Sequence, residues 1–119
     1  MYDYTHDIVS QLVEQGTVPF AVQVGNEISN GFLWEEDGAG CETGGRLWCS
    51  DDEDDDWARF GDLVSAGIEA VRDASPESEV AIHTDLGNSI SKSGIDWLVK
   101  WHNELIANLN DGVLSLIHI

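Results

Sequence analysis

A chain of 119 residues, 42% hydrophobic and holding five tryptophans, is long enough to bury one core and too apolar to be disordered. Its 23 Asp and Glu against 5 Lys and Arg give a formal net charge of -18 and a pI near 4.1, which excludes nucleic acid and anionic membrane surfaces as partners. No apolar run reaches the roughly 18 residues that a membrane span needs.

The carboxylates are spread over helical segments as well as one loop. That distribution favours a surface adapted to high salt over a dedicated cation-binding surface. The amino terminus, Met1-Tyr2-Asp3-Tyr4-Thr5-His6-Asp7, lacks the basic and apolar regions of a signal peptide. Residues 3–15 follow, with Ile8, Val9, Leu12 and Val13 forming the stripe of an amphipathic helix and Gly16 as its stop.

After Pro19, residues 21–25 read as a short strand. Its near-continuous apolar character predicts a parallel strand covered on both faces. The strand ends in Gly25-Asn26-Glu27-Ile28, so Asn26 and Glu27 sit side by side where the apolar run gives way to polar residues. In α/β proteins the loops beyond the carboxyl ends of parallel strands form the ligand-facing side, which makes Glu27 a candidate for chemistry. The competing reading is a helix-cap or loop acid.

Residues 28–56 have no sustained periodicity and read as one long loop, with Trp34 and Trp48 set among glycines and acids. Loops this long in compact domains are usually functional or mobile. The closing run Asp51-Asp52-Glu53-Asp54-Asp55-Asp56 has too few spaced ligands for a calcium-binding loop and reads as a solvated stretch ahead of a helix amino terminus. Cys41 and Cys49 lie in the same loop, where a local disulfide and two free thiols are both open readings. No further ligand with zinc spacing accompanies them, and no metal site is assigned.

A helix is expected over residues 57–74, with Phe60, Leu63, Val64, Gly67, Ile68 and Val71 on one face and Ser75-Pro76 ending it. Val80-Ala81-Ile82-His83 reads as a second short strand ending in a polar residue. Residues 87–94 are a loop, and residues 95–109 a third helix carrying Ile95, Leu98, Val99, His102, Leu105, Ile106 and Leu109 at helical spacing. Trp97 and Trp101, four apart on it, favour packing over sugar binding. His6, His102 and His118 read as surface or packing residues.

Strands separated by whole helices are parallel neighbours in βα units. Two such strands cannot close a sheet, and each leaves an edge exposed. With about 30 residues per unit, the pattern is that of α/β units cut from a barrel of about 250 residues.

The segments Tyr2-Asp3-Tyr4-Thr5-His6-Asp7, Val22-Gln23-Val24-Gly25-Asn26-Glu27-Ile28, Asn30-Gly31-Phe32-Leu33-Trp34, Ala66-Gly67-Ile68-Glu69-Ala70-Val71-Arg72 and Ile82-His83 occur in the order and spacing of a known family. The chain resembles glycoside hydrolase family 53, the secreted endo-β-1,4-galactanases acting on arabinogalactan. Beyond His83 the likeness weakens, because Thr84-Asp85-Leu86-Gly87-Asn88 departs from the family pattern. The resemblance implies a (β/α)8 barrel of which this chain holds the region from strand 4 to helix 5, with the preceding helix. It further implies that Glu27 is the acid/base of a retaining enzyme and that Asn26 binds the substrate 2-hydroxyl. Trp34 is then a candidate sugar platform and His83 a pocket-facing residue at the end of strand 5. Trp34 as loop packing and His83 as a hydrogen-bonded structural residue remain the alternatives.

Retaining hydrolysis needs one carboxyl to protonate the leaving oxygen and a second, about 5–5.5 Å away, to attack the anomeric carbon. In the family the second is a Glu on strand 7, beyond this chain. The resemblance therefore implies residues 1–113 as a piece of one catalytic domain, with Leu114-Ser115-Leu116-Ile117-His118-Ile119 a non-native tail. It implies β-1,4-galactan as the partner, no cofactor, and a parent enzyme that is monomeric and secreted. Two other classes stay open: a non-catalytic acidic module binding carbohydrate or cations, and a related glycosidase acting on mannan or cellulose.

Overall fold

A computed structural model describes residues 1–33, 44–49, 51–85 and 91–113. Along the chain lie α1 (Tyr2–Glu14), β1 (Ala21–Val24), β2 (Gly31–Phe32), β3 (Gly45–Arg46), α2 (Glu53–Ala74), β4 (Glu79–Ile82) and α3 (Lys92–Asn108). β1 and β4 pair in parallel with Val22 opposite Val80 and Val24 opposite Ile82. The expected pair of parallel strands separated by a helix is present, each strand within one residue of its predicted bounds.

α2 is the centre of the packing. Trp57, Phe60, Val64, Ile68 and Val71 recur along one side of it at helical spacing and are buried, with Val9 of α1, Val24 and Val80 of the sheet, and Trp101 and Leu105 of α3 around them. Two glycines let the helix come close. A Cβ at Gly67 would stand 2.7 Å from Val24 Cγ1, and one at Gly61 would collide with the Asn108 carbonyl oxygen at the end of α3. α1 lies along α2, fastened at its start where the Tyr2 hydroxyl donates to Asp73 Oδ2 at 2.5 Å. That bond to the Asp73 carboxylate raises the Tyr2 phenol above its ordinary pKa of 10.0.

Four expectations need correction. β1 is covered on one face only: Val24 is buried toward the helices, whereas Ala21 and Gln23, with Ala81 of β4, face outward and are exposed. Only one layer of helices stands against this two-stranded sheet, so the alternation of the pleat leaves its other side open. The acidic run is not a solvated loop throughout. Asp52 caps α2 by accepting from the Asp54 N–H at 3.0 Å, and the four acids from Glu53 to Asp56 form the first turn, where the helix dipole favours them.

The long loop has structure of its own: a single 3-10 turn over Ile28–Asn30 leads into β2, which pairs antiparallel with β3 through Gly31 opposite Arg46 and Phe32 opposite Gly45. Strands of two residues are too short to announce themselves by alternation. Finally, α3 starts at Lys92, three residues before Ile95, because the Ser91 hydroxyl accepts from the Gly94 N–H at 3.2 Å and caps it. On this helix Trp101 and Leu105 enter the core, while Ile95 and Val99 of the predicted stripe are exposed.

The remaining histidines among the described residues fit their expected roles. His6 stacks on Tyr2, and His102 Nδ1 lies 2.8 Å from the Leu98 carbonyl. His118, with the rest of 114–119, lies outside the described residues. Cys49 is disulfide-bonded, which decides the open reading of its redox state; Cys41 lies outside the described residues.

Candidate functional site

At the carboxyl end of β1 the backbone reverses sharply. Gly25 has φ +79 and Glu27 follows with φ 52 and ψ 48, a left-handed conformation that costs a residue with a Cβ about 1–2 kcal/mol. The conformation is held from β4. The Glu27 N–H donates to His83 Nδ1 at 3.3 Å, and the next amide, Ile28, donates to the His83 carbonyl at 3.1 Å. Parallel pairing in register thus brings the ends of the two strands, 56 residues apart in sequence, onto one another.

Asn26 joins the same cluster. Its Oδ1 lies 3.2 Å from His83 Nδ1 and accepts from Gln23 Nε2 at 3.1 Å. The Gln23 amide also donates to the Gly25 carbonyl at 2.8 Å, so the side chain bridges the turn. One imidazole nitrogen cannot serve both of its neighbours in a single protonation state. With the proton on Nε2, Nδ1 accepts from Glu27; with the proton on Nδ1, it donates to Asn26 Oδ1.

Glu27 is exposed, and its carboxylate meets no partner among the described residues. The strained turn therefore presents a carboxylate outward beside a fixed amide and an imidazole, an arrangement able to give or take a proton at a bound molecule. Behind the turn the backbone is braced: Ile28 and Ser29 are buried, the Trp101 indole N–H donates to the Ser29 carbonyl at 3.0 Å, and the Ser29 hydroxyl donates to the Asp85 carbonyl at 3.3 Å.

Of the residues singled out in the sequence, Asn26, Glu27 and His83 come together, and Trp34 lies outside the described residues. Gln23 is the member that sequence reasoning missed. A polar side chain between Val22 and Val24 on an otherwise apolar strand was the signal that could have found it. Among the described residues no group of three or more His, Cys, Asp or Glu side chains could hold a metal ion, and no helix is long and apolar enough to cross a membrane.

The sequence model of glycosyl hydrolase family 53 matches residues 1–109. The chain belongs to glycosyl hydrolase family 53. It is also similar to an arabinogalactan endo-beta-1,4-galactanase of Thermothelomyces thermophilus, 28% identical over 98% of this chain and 29% of that protein. A second relative, an uncharacterized protein in the bgaB 5' region of Niallia circulans, is 34% identical over 92% of this chain and 33% of its own length. The chain thus spans about a third of the length of the curated relatives it matches. No solved structure matches. The family has a TIM-barrel-type fold, and the small α/β unit described above is consistent with part of one.

Proposed function

We propose that residues 1–113 are the strand 4 to helix 5 region of a retaining endo-β-1,4-galactanase, with Glu27 as its acid/base. What carries the reading is the family match over residues 1–109 together with the convergence of Asn26, Glu27 and His83 at the carboxyl ends of β1 and β4. In a barrel that end is where the chemistry is done. The open face of the sheet, with Gln23 and Ala81, is then the side turned to the barrel interior.

In this role Glu27 protonates the glycosidic oxygen as the bond to the anomeric carbon breaks, then takes a proton from the water that releases the glycosyl-enzyme. Asn26, held by Gln23, offers its amide to the sugar 2-hydroxyl. His83 fixes the turn that aims Glu27, and Trp34 supplies an aromatic face to a sugar ring. The nucleophile is a second carboxylate from elsewhere in the longer enzyme, so the 119 residues alone release no reducing sugar from galactan. The parent enzyme is a secreted monomer whose partner is polysaccharide.

The test is a full-length enzyme carrying this segment, assayed with and without Glu27→Gln. Galactan should be cleaved in preference to mannan and cellulose, and the variant should keep its fold while losing about 10²–10⁴-fold in kcat. Unchanged hydrolysis by the variant overturns the role of Glu27. Preference for mannan or cellulose overturns the substrate.

A further inference from the structure

Between α2 and α3 lies an open cleft of about 200 Å³ that Asn26, Glu27 and His83 do not line, although one of its residues, Trp101, is bonded to Ser29 behind their turn. Its floor is the buried pair Trp57 and Trp101, packed edge to face at 5.8 Å, and its walls are Trp48 and Trp97, which are 42% and 38% exposed. Glu53, Lys100 and Glu104 also line it, and although the Glu104 carbonyl accepts from Asn108 Nδ2 at 2.9 Å, the charged ends of the three side chains meet no partner among the described residues. We infer that this cleft is a second sugar-binding site, taking one or two units of a neutral β-linked hexopyranose chain; that the chain is a galactan rests on the function proposed above.

Three observations converge on a sugar. Trp48 holds φ 60, a left-handed backbone that a bulky aromatic residue adopts only when its surroundings impose it. Here they do: the next residue, Cys49, is disulfide-bonded and its N–H donates to the buried Asp56 carboxylate at 2.7 Å. The ring so placed packs edge to face on Trp57 at 5.7 Å and leaves part of its surface facing the cleft.

The rim is equally specific. Two carboxylates and one ammonium offer acceptors and donors to hydroxyl groups arranged around an apolar ring face. An anion would meet the strongly negative chain, whereas a neutral sugar meets no such penalty. The cleft also lies between two helices already packed on one another and not along the open edges of β1 and β4.

Titration of the ¹⁵N-labelled chain with β-1,4-galactotetraose, mannotetraose and cellotetraose, read at the five indole N–H signals, tests the inference. The galactotetraose should shift the Trp48 and Trp97 signals at millimolar concentration. Trp97→Ala should weaken binding about tenfold, and the exposed rim change Lys100→Glu should weaken it in the same direction without touching the core. Glu77→Gln, an exposed change beyond the far end of α2, should leave it unchanged. Shifts given by mannotetraose or cellotetraose in place of galactotetraose keep the cleft as a sugar site and overturn the galactan reading. No shift at Trp48 or Trp97 with any of the three, in a chain with dispersed amide signals, overturns the site. So does binding that Trp97→Ala spares.

Discussion

Glu27 is placed by a conformation its own side chain disfavours. At φ 52 and ψ 48 a residue with a Cβ is strained, and the strain persists because two successive amides, Glu27 and Ile28, are both tied to His83. Glycine is the residue that a purely structural requirement would select there. The expected consequence is that Glu27→Gly is more stable than Glu27→Ala by about 1 kcal/mol, since both lose the carboxylate but only alanine keeps the left-handed penalty. Urea unfolding of the two variants measures it, and equal midpoints would mean that the turn is not under strain. Asn26, Glu27 and His83 were each legible as candidates, because polar residues ending apolar runs stand out. Their mutual bonding was not, since it depends on a register set by α2 and on an αL turn that no residue type marks when the occupant is glutamate.

At the scale of elements, α2 organises both the core and the acidic loop. Asp56 looks in the sequence like one acid of six; in the fold it is 1% exposed, accepting from the Cys49 N–H and from Arg59 at 2.5 Å. One carboxylate thereby ties the loop carrying Cys49 to the first turn of the helix, where the helix dipole also favours its charge. Asp56→Ala would strand a half-buried amide and deprive Arg59 of its partner, so a loss of about 2–3 kcal/mol in stability is expected. Asp55→Ala, one residue earlier and exposed, should change stability by less than about 0.5 kcal/mol. Chemical denaturation of both separates a built-in anchor from a merely charged run; similar small losses would return Asp56 to the solvated face. The helices themselves were readable because their apolar stripes are long. What hid Asp56 is that a charge run carries no internal sign of which member turns inward, a choice made by Cys49 and Arg59.

The whole molecule combines a barrel-type α/β unit with a net charge of -18, and the two features oppose each other. Burial around α2 draws the elements together, while the acids on the outer faces of α1, α2 and the loops repel one another over distances comparable to a Debye length of about 10 Å at 0.1 M salt. That the fold is a two-stranded piece with open edges followed from counting strands and helices along the chain. The covering of one face only did not, because an apolar strand looks the same whether its second face meets helices or other strands. Two explanations of the acidity remain distinguishable at this scale. If it is an adaptation to salt, raising NaCl from 0.05 to about 1 M shortens the Debye length to about 3 Å and should stabilise the fold by about 1 kcal/mol or more, a rise of about 4–8 °C in Tm. Choline chloride should act almost as strongly as NaCl, because screening depends on ionic strength and not on the identity of the cation. A response confined to millimolar calcium, with little effect of monovalent salt, would instead mean that the carboxylates gather at a discrete cation site. Among the described residues no such group is assembled, and the acids Asp52 to Asp56 are engaged in capping and starting α2, so the general response is the one expected.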